Sequence, residues 1–225
     1  MIAPADSAGT VFVIDDDPSV RRALERKLRT AGFRVETFES AQDYLDRAPR
    51  AAIACIVTDV RMPGMSGLDL QTSLAQAKRE LPMVFITAYG DIPTTVHAMK
   101  GGAVNFLPKP FTEHEILTAV SEALDRSAAL TRARQETEDL RARYQALTPR
   151  EQEVFVLVTA GQLNKVIADR LGTAETTIKI HRGRVMEKMG AASLADLVRM
   201  AERLAKPVSV LGATAAPRAG SEKEA

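Results

Sequence analysis

The stretch "VFVIDDDPSV", residues 11–20, runs four apolar residues straight into three carboxylates and a proline. A short apolar run that stops at turn residues is the pattern of a strand buried on both faces. In an open parallel sheet, ligands bind just outside the carboxyl ends of such strands. Three adjacent carboxylates repel one another, so they mark either an ordinary solvated turn or a place that holds a cation. Asp17 has a local explanation of its own. It stands before Pro18, as an N-cap acceptor stands before a proline at the first helical position.

Working outward, the strand "TVFVI" (10–14) is followed by "RVETF" (34–38), "AIACIVT" (52–58), "MVFIT" (83–87) and "AVNFL" (103–107). All are short, rich in Val, Ile, Phe and Thr, and bounded by Gly, Pro or Asp. Between the first two, Val20, Leu24 and Leu28 recur at helical spacing, and Gly32 marks the end of that helix. Similar patterns surround Leu68–Leu74, Thr94–Lys100 and Ile116–Leu124. Five strands alternating with helical segments predict an α/β fold, a parallel sheet covered on both faces.

The gross numbers agree with two small domains. The chain has 225 residues, 45% hydrophobic and 26% charged, with a formal net charge of +1. That average hides a split: residues 1–124 hold 13 Lys+Arg against 16 Asp+Glu, and residues 148–206 hold 10 against 7. An acidic front and a basic back suggest different partners. Cys55 is the single cysteine, which excludes an internal disulfide and reads as a buried structural thiol. No apolar run approaches the ~18 residues of a membrane span. The N-terminus lacks the basic and apolar regions of a signal peptide. The expected location is cytoplasmic, with no membrane partner.

Residues 126–147 contain no Gly or Pro and mix charges of both signs. They read as a long, largely exposed helical linker. Leu130, Ala133, Thr137, Leu140, Tyr144 and Leu147 fall at 3-4-3-4-3 spacing, which also suits a weak coiled-coil seam, although Ala and Thr fill seams poorly. Residues 148–206 are helical again, broken at Gly161, Gly172 and Gly190. Residues 207–225 are rich in Ala, Gly, Pro and Ser and read as a disordered tail.

The strand ends carry the chemistry. Asp15, Asp16 and Asp17 follow the first strand, Thr58-Asp59 the third, Thr87 the fourth, and Pro108-Lys109-Pro110 the fifth. Several carboxylates, a hydroxyl and an ammonium group therefore converge on one rim. Mg²⁺ asks for oxygen ligands in octahedral array and keeps some of its waters. Each residue alone has a plain structural reading; together, at one end of four strands, they point to a site.

"VFVIDDDPSVR", "IVTDVRMPGMSGLDL", "FITAYGD" and "AVNFLPKPF" resemble the four signatures of bacterial response-regulator receiver domains, in order and spacing, over residues 10–125. The resemblance implies a flavodoxin-like sheet of order 2-1-3-4-5 with Asp59 as phosphoacceptor. It implies Mg²⁺ or Mn²⁺ held by Asp15, Asp16, Asp59 and the Arg61 backbone carbonyl. Thr87 and Lys109 are then the phosphoryl-binding groups, Phe106 the aromatic switch, and Lys109–Pro110 a cis peptide. Asn105 stands where many relatives carry Asp, outside the acid pocket. Phosphoryl transfer is mostly positioning and electrostatics, which suits an aspartate nucleophile among these groups.

In the basic segment, "LTPREQEVFVLVTAGQLNKVIADRLGTAETTIKIHRGRVMEKMG" reads as helix, Gly turn, helix, Gly turn, helix. Thr148, Pro149 and Glu151 form a capping box. Val154, Leu157 and Val158 make a core face, as do Val166, Ile167 and Leu171 on the next helix. Ile178, Val185 and Met189 lie inside on the last one, leaving Lys179, Arg182 and Arg184 to face outward. Short helix-turn-helix spacing with cations on the last helix favours a major-groove reader over an inert bundle. This stretch resembles the LuxR-type DNA-binding domain over residues 148–206, and the whole chain resembles the FixJ/StyR-type response regulators of the NarL/LuxR class.

That resemblance makes Thr176–Met189 the recognition helix. Thr176, Lys179, Ile180 and His181 lie along it, Arg182 and Arg184 are candidates for base or phosphate contact, and Asn164, Lys165 and Lys188 for backbone phosphates. Two departures stand out. Ala174 occupies the usual Ser/Thr cap position, so Thr173 is expected to cap instead. Gly183 stands in mid-helix where some relatives carry a base-contacting Lys.

The function so implied is a two-component transcription regulator. A sensor histidine kinase phosphorylates Asp59, the chain forms a homodimer, and promoter DNA is bound, with RNA polymerase as a further partner. It is not an enzyme beyond its own phosphotransfer and dephosphorylation. Two alternatives remain open: a constitutive DNA-binding regulator whose receiver serves only protein–protein interaction, and an aspartate-nucleophile phosphohydrolase. The second needs a carboxylate two residues after the nucleophile, where Arg61 stands.

Overall fold

The computed structural model describes residues 9–47, 51–79, 81–88 and 92–205. The expected disordered tail lies outside these residues. The chain divides into two compact units, one running through Thr131 and the other beginning at Arg132.

The first unit opens with β1 (Thr10–Ile14), α1 (Pro18–Thr30), β2 (Arg34–Phe38), α2 (Ala41–Arg47) and β3 (Ala54–Asp59). It continues with α3 (Gly67–Gln76), β4 (Met83–Thr87), α4 (Ile92–Lys100), β5 (Asn105–Pro108) and the start of α5 (Glu113–Gln145). The strands form one parallel sheet of order β2-β1-β3-β4-β5.

The continuous apolar runs are explained by burial on both sides. Val11 and Val13 of β1 pack with Cys55, Val57, Val84, Ile86 and residues of α1 and α5. Phe12 and Ile14 enter the opposite core with Ile56, Phe85, Leu70 and Tyr44. Phe12, Phe38 and Tyr44 there form an aromatic cluster with ring centroids 5.2–6.1 Å apart. Burial pushes the Cys55 thiol up to about 12, which agrees with a structural thiol. Helix α1 starts as its sequence dictates: Asp17 accepts from the Ser19 N–H at 2.7 Å, with Pro18 beginning the helix. A second side-chain cap, a Ser66–Asp69 capping box, starts α3.

The second unit holds the end of α5, then α6 (Pro149–Thr159), α7 (Asn164–Leu171), α8 (Glu175–Met189) and α9 (Leu194–Ala205). The Thr148 capping box is present, with Pro149 opening α6. Gly172 and Gly190 end α7 and α8 in the left-handed conformation that a side chain would resist.

Three expectations change. Leu140, Tyr144 and Leu147 pack into the core of the second unit with Val154, Phe155 and Met189, so the end of α5 is not an exposed linker. At its other end Ser127 is buried and accepts from the Ala54 N–H at 3.0 Å, and the Thr131 hydroxyl donates to the Ala52 carbonyl. On α7 the inward pair is Ile167 and Ala168, while Val166 is 49% exposed. Ile167, Ala168 and Leu171 lie within about 100° of one another around the helix axis, and Val166 falls outside that arc. The N-cap of α8 is Ala174 with no side-chain cap bond, so Thr173 does not cap it.

Candidate functional site

Because β1, β3, β4 and β5 are parallel and in register, their carboxyl ends open on one rim. Ile14 pairs with Thr58, Asp59 with Ile86, and Thr87 with Pro108. Asp15 therefore follows β1 directly, Asp59 closes β3, Thr87 closes β4 and Lys109 follows β5.

One ammonium draws this rim together. Lys109 Nζ donates to Asp59 Oδ2 at 2.6 Å and to Asp15 Oδ2 at 3.0 Å. The Lys109 N–H donates to the Thr87 carbonyl at 2.7 Å, which fixes the lysine beside β4, and the Lys109–Pro110 peptide is cis. Asp15 is 1% exposed. Its lost hydration pushes the carboxyl above the ordinary carboxylate range, outweighing the Asp17 N–H and Lys109, which favour the charged form. Burial pulls the Lys109 ammonium down, but hydrogen bonds and charges from Asp59 and Asp15 outweigh it and hold it above the ordinary lysine value. Both partners rise for different reasons: the carboxylate faces one lysine from the interior, and the lysine faces two carboxylates.

The surrounding backbone is also fixed. The Arg61 N–H donates to Asp59 Oδ1 at 2.9 Å, and the Asp17 N–H to Asp15 Oδ1 at 2.9 Å. Arg21, which no sequence pattern marked, donates from Nη1 to the carbonyls of Asp15 (2.6 Å) and Asp16 (3.0 Å). Its only signal was a cation six residues beyond a strand-end carboxylate. Gly67 is set by space, since a Cβ there would lie 2.4 Å from the Asp59 carbonyl oxygen. Thr87 is buried, and Phe106 is half-buried with its ring centroid 6.4 Å from that of Phe85.

The donor set suits a hard divalent cation. Among the described residues no three His, Cys, Asp or Glu side chains are gathered into a metal-holding group. Two carboxylates, Asp15 and Asp59, already reach one cationic point, with exposed Asp16 next in the chain. Mg²⁺ commonly binds through one or two carboxylates and keeps several waters, so this all-oxygen pair fits it.

In the second unit, α7 and α8 are joined by the short turn at residues 172–174. Thr176, Lys179, Ile180 and Arg184 are exposed on α8, as is Lys165 on α7. The remaining candidates are not free on that surface. Arg182 is half-buried and donates to Asn164 Oδ1 at 3.2 Å, which ties α8 to the start of α7. Lys188 donates to Glu151 at 2.6 Å. His181 is half-buried, with Nδ1 in the interior and without a hydrogen-bond partner. The expectation that Arg182 faces freely outward is therefore corrected.

Comparison with known proteins agrees with this geometry. Residues 11–121 match the response regulator receiver domain, and residues 145–201 match the bacterial regulatory proteins of the luxR family. Nodulation protein W of Bradyrhizobium diazoefficiens is 48% identical over 200 residues, covering 89% of this chain and 88% of that protein. The chain belongs to the two-component response regulators. Transcriptional regulatory protein FixJ of Rhizobium meliloti is 42% identical to this regulator over 192 residues, covering 85% of this chain and 94% of FixJ. A solved structure of response regulator StyR superposes with a TM-score of 0.75 at 48% identity, covering 86% of this chain and 98% of that one. This response regulator thus carries a receiver and a LuxR-type DNA-binding domain, a composition that implies kinase and DNA partners. Among the described residues no helix is long and apolar enough to cross a membrane.

Proposed function

We propose that the receiver accepts a phosphoryl group on Asp59 from a sensor histidine kinase, and that the modified chain dimerises on promoter DNA to control transcription. The observation that carries this reading is the Lys109 ammonium held between Asp59 and Asp15 at the strand ends. Asp59 Oδ2 is the nucleophile, and its Oδ1 is held by the Arg61 N–H, so the carboxylate is oriented before a donor arrives. Lys109 pairs with the incoming phosphoryl oxygens, and the Thr87 hydroxyl donates to one of them once the bond has formed. Phe106 follows Thr87 inward. Asp15, Asp16, Asp59 and the Arg61 carbonyl would hold a magnesium ion, which when bound would supply positive charge for an anionic donor.

The group two residues after Asp59 is Arg61, which offers no general acid, so the phosphohydrolase alternative lacks its second carboxylate. Outside its own phosphotransfer and dephosphorylation the chain is not an enzyme. It acts in the cytoplasm and meets RNA polymerase at the promoter. On the DNA side, Lys179, Ile180 and Arg184 project from α8 toward the major groove and Lys165 toward phosphate. One LuxR-type domain makes few phosphate contacts, and two domains on adjacent half-sites gain by effective concentration.

The test is DNA selection with wild type and Asp59→Asn, each with and without an acyl-phosphate donor and Mg²⁺. Donor-dependent tightening in wild type alone is expected. Equal binding under all four conditions overturns the switch and favours a constitutive binder.

A further inference from the structure

Ile178, Val185 and Met189 define the inner side of α8. At 3.6 residues per turn, the opposite side is carried by Thr176, Ile180, Gly183, Arg184 and Glu187. All five are exposed. Gly183 lies in the middle of this face, one turn beyond Lys179 and Ile180.

Nothing inside the protein calls for glycine there. A Cβ built on Gly183 meets no atom within 4 Å. Its φ is not positive, so alanine fits the backbone equally well. In a helix interior glycine is about 1 kcal/mol less favourable than alanine. A local rule broken without an internal compensation points to what the helix meets.

The neighbours indicate what that is. Ile180 is 57% exposed, a large apolar side chain on a helix face that also carries Arg184 and, at its edge, Lys179. Gly183 leaves a recess one methyl group deep against it. In the major groove a base edge presents one apolar group, the thymine C5-methyl. We propose that Gly183 and Ile180 form a recess for a thymine methyl, making Gly183 a specificity-determining residue of α8. This rests on the reading of α8 as the helix that reads DNA. An alanine at 183 places its own methyl where the thymine methyl belongs.

The experiment removes that methyl from either side. Full-length protein, treated with an acyl-phosphate donor and Mg²⁺, first selects its site from a random duplex library. Each thymine of one selected half-site is then replaced singly by deoxyuridine, which lacks only the methyl. Wild type is expected to lose about fourfold in affinity at one thymine, the equivalent of one buried methylene-sized group at about 0.8 kcal/mol. Gly183→Ala is expected to melt no lower than wild type, to bind the thymine site more weakly, and to show no loss on the deoxyuridine change. Ile180→Ala loses the same discrimination. The proposal is overturned if no thymine responds, or if Gly183→Ala binds like wild type with the same fourfold loss. A wild type that selects no sequence at all overturns the DNA-reading assignment beneath it, a distinguishable result.

Discussion

The Lys188 ammonium on α8 donates to the Glu151 carboxylate at 2.6 Å, and Glu151 is the residue whose other contact closes the capping box at the start of α6. The lysine is 38% exposed and the glutamate 2%. The Lys188 hydrogen bond, followed by the Thr148 N–H, holds the Glu151 carboxyl below its ordinary value. Lys188→Ala leaves a buried carboxylate short of a partner and is expected to cost about 1–3 kcal/mol. Because the folded pKa is depressed, the contribution is present above the unfolded value, near 4.5, and is lost as pH falls through the folded one. Urea midpoints of wild type and Lys188→Ala should therefore converge at acid pH. A constant gap from pH 7 to pH 3 counts against the pair.

Asp15 has the opposite sign. Burial raises its folded pKa, so above that value the ionised side chain is a net cost to the fold, and the fold gains as pH falls toward the unfolded value. Asp15→Asn is expected to be more stable than wild type at pH 7, because it removes the buried charge, and to lose metal-dependent phosphorylation. Denaturant midpoints followed from pH 7 down to the ordinary aspartate value of 3.8 check it: the gain on acidification should be smaller in the variant than in wild type.

Gly67→Ala tests space. The added Cβ would lie 2.4 Å from the Asp59 backbone carbonyl, 3.0 Å from Phe85 and 3.1 Å from Thr58. Backbone cannot yield as a flexible side chain does, so a loss of about 1–3 kcal/mol is expected, read as a lower melting temperature. Gly64→Ala distinguishes space from conformation. It meets nothing, but its φ of +77° resists a side chain. It should destabilise without displacing the strand end.

Leu140→Ala tests where the second domain begins. Leu140 is 5% exposed in the same core as Val154 and Met189. Its truncation is expected to cost about 2–4 kcal/mol. A fragment beginning at Thr148 should unfold more easily than one beginning at Arg132, as measured by thermal melting. Equal melting temperatures contradict the packing described.

The strands were legible because each apolar run is short, β-rich and ended by a turn residue, and the sheet's two cores account for the lack of alternation. Helix α2, only Ala41–Arg47, was not placed, because two turns with Ala41 and Tyr44 inward carry no readable period. The end of α5 looked exposed because Leu140, Tyr144 and Leu147 stand among charges, and the core that receives them comes later in the chain. Positions at strand ends could be read from spacing, but partnership could not. Lys109 and Asp15 are 94 residues apart, and Lys188 and Glu151 are 37 apart. The same limit hid the Arg182–Asn164 bond, since a cation on an outward helix face looks free until the neighbouring helix is in place.

β3 begins at Ala54, whose N–H is held by Ser127 of α5, and ends at Asp59. Its six residues span about 20 Å. From there α5 runs without a break to Leu140 in the DNA-binding half. Within the receiver, the path from the acid rim to α5 therefore crosses no loop: one strand and one hydrogen bond. Inserting residues into the surface loops of the receiver leaves that path intact, whereas Ser127→Ala removes its one side-chain link.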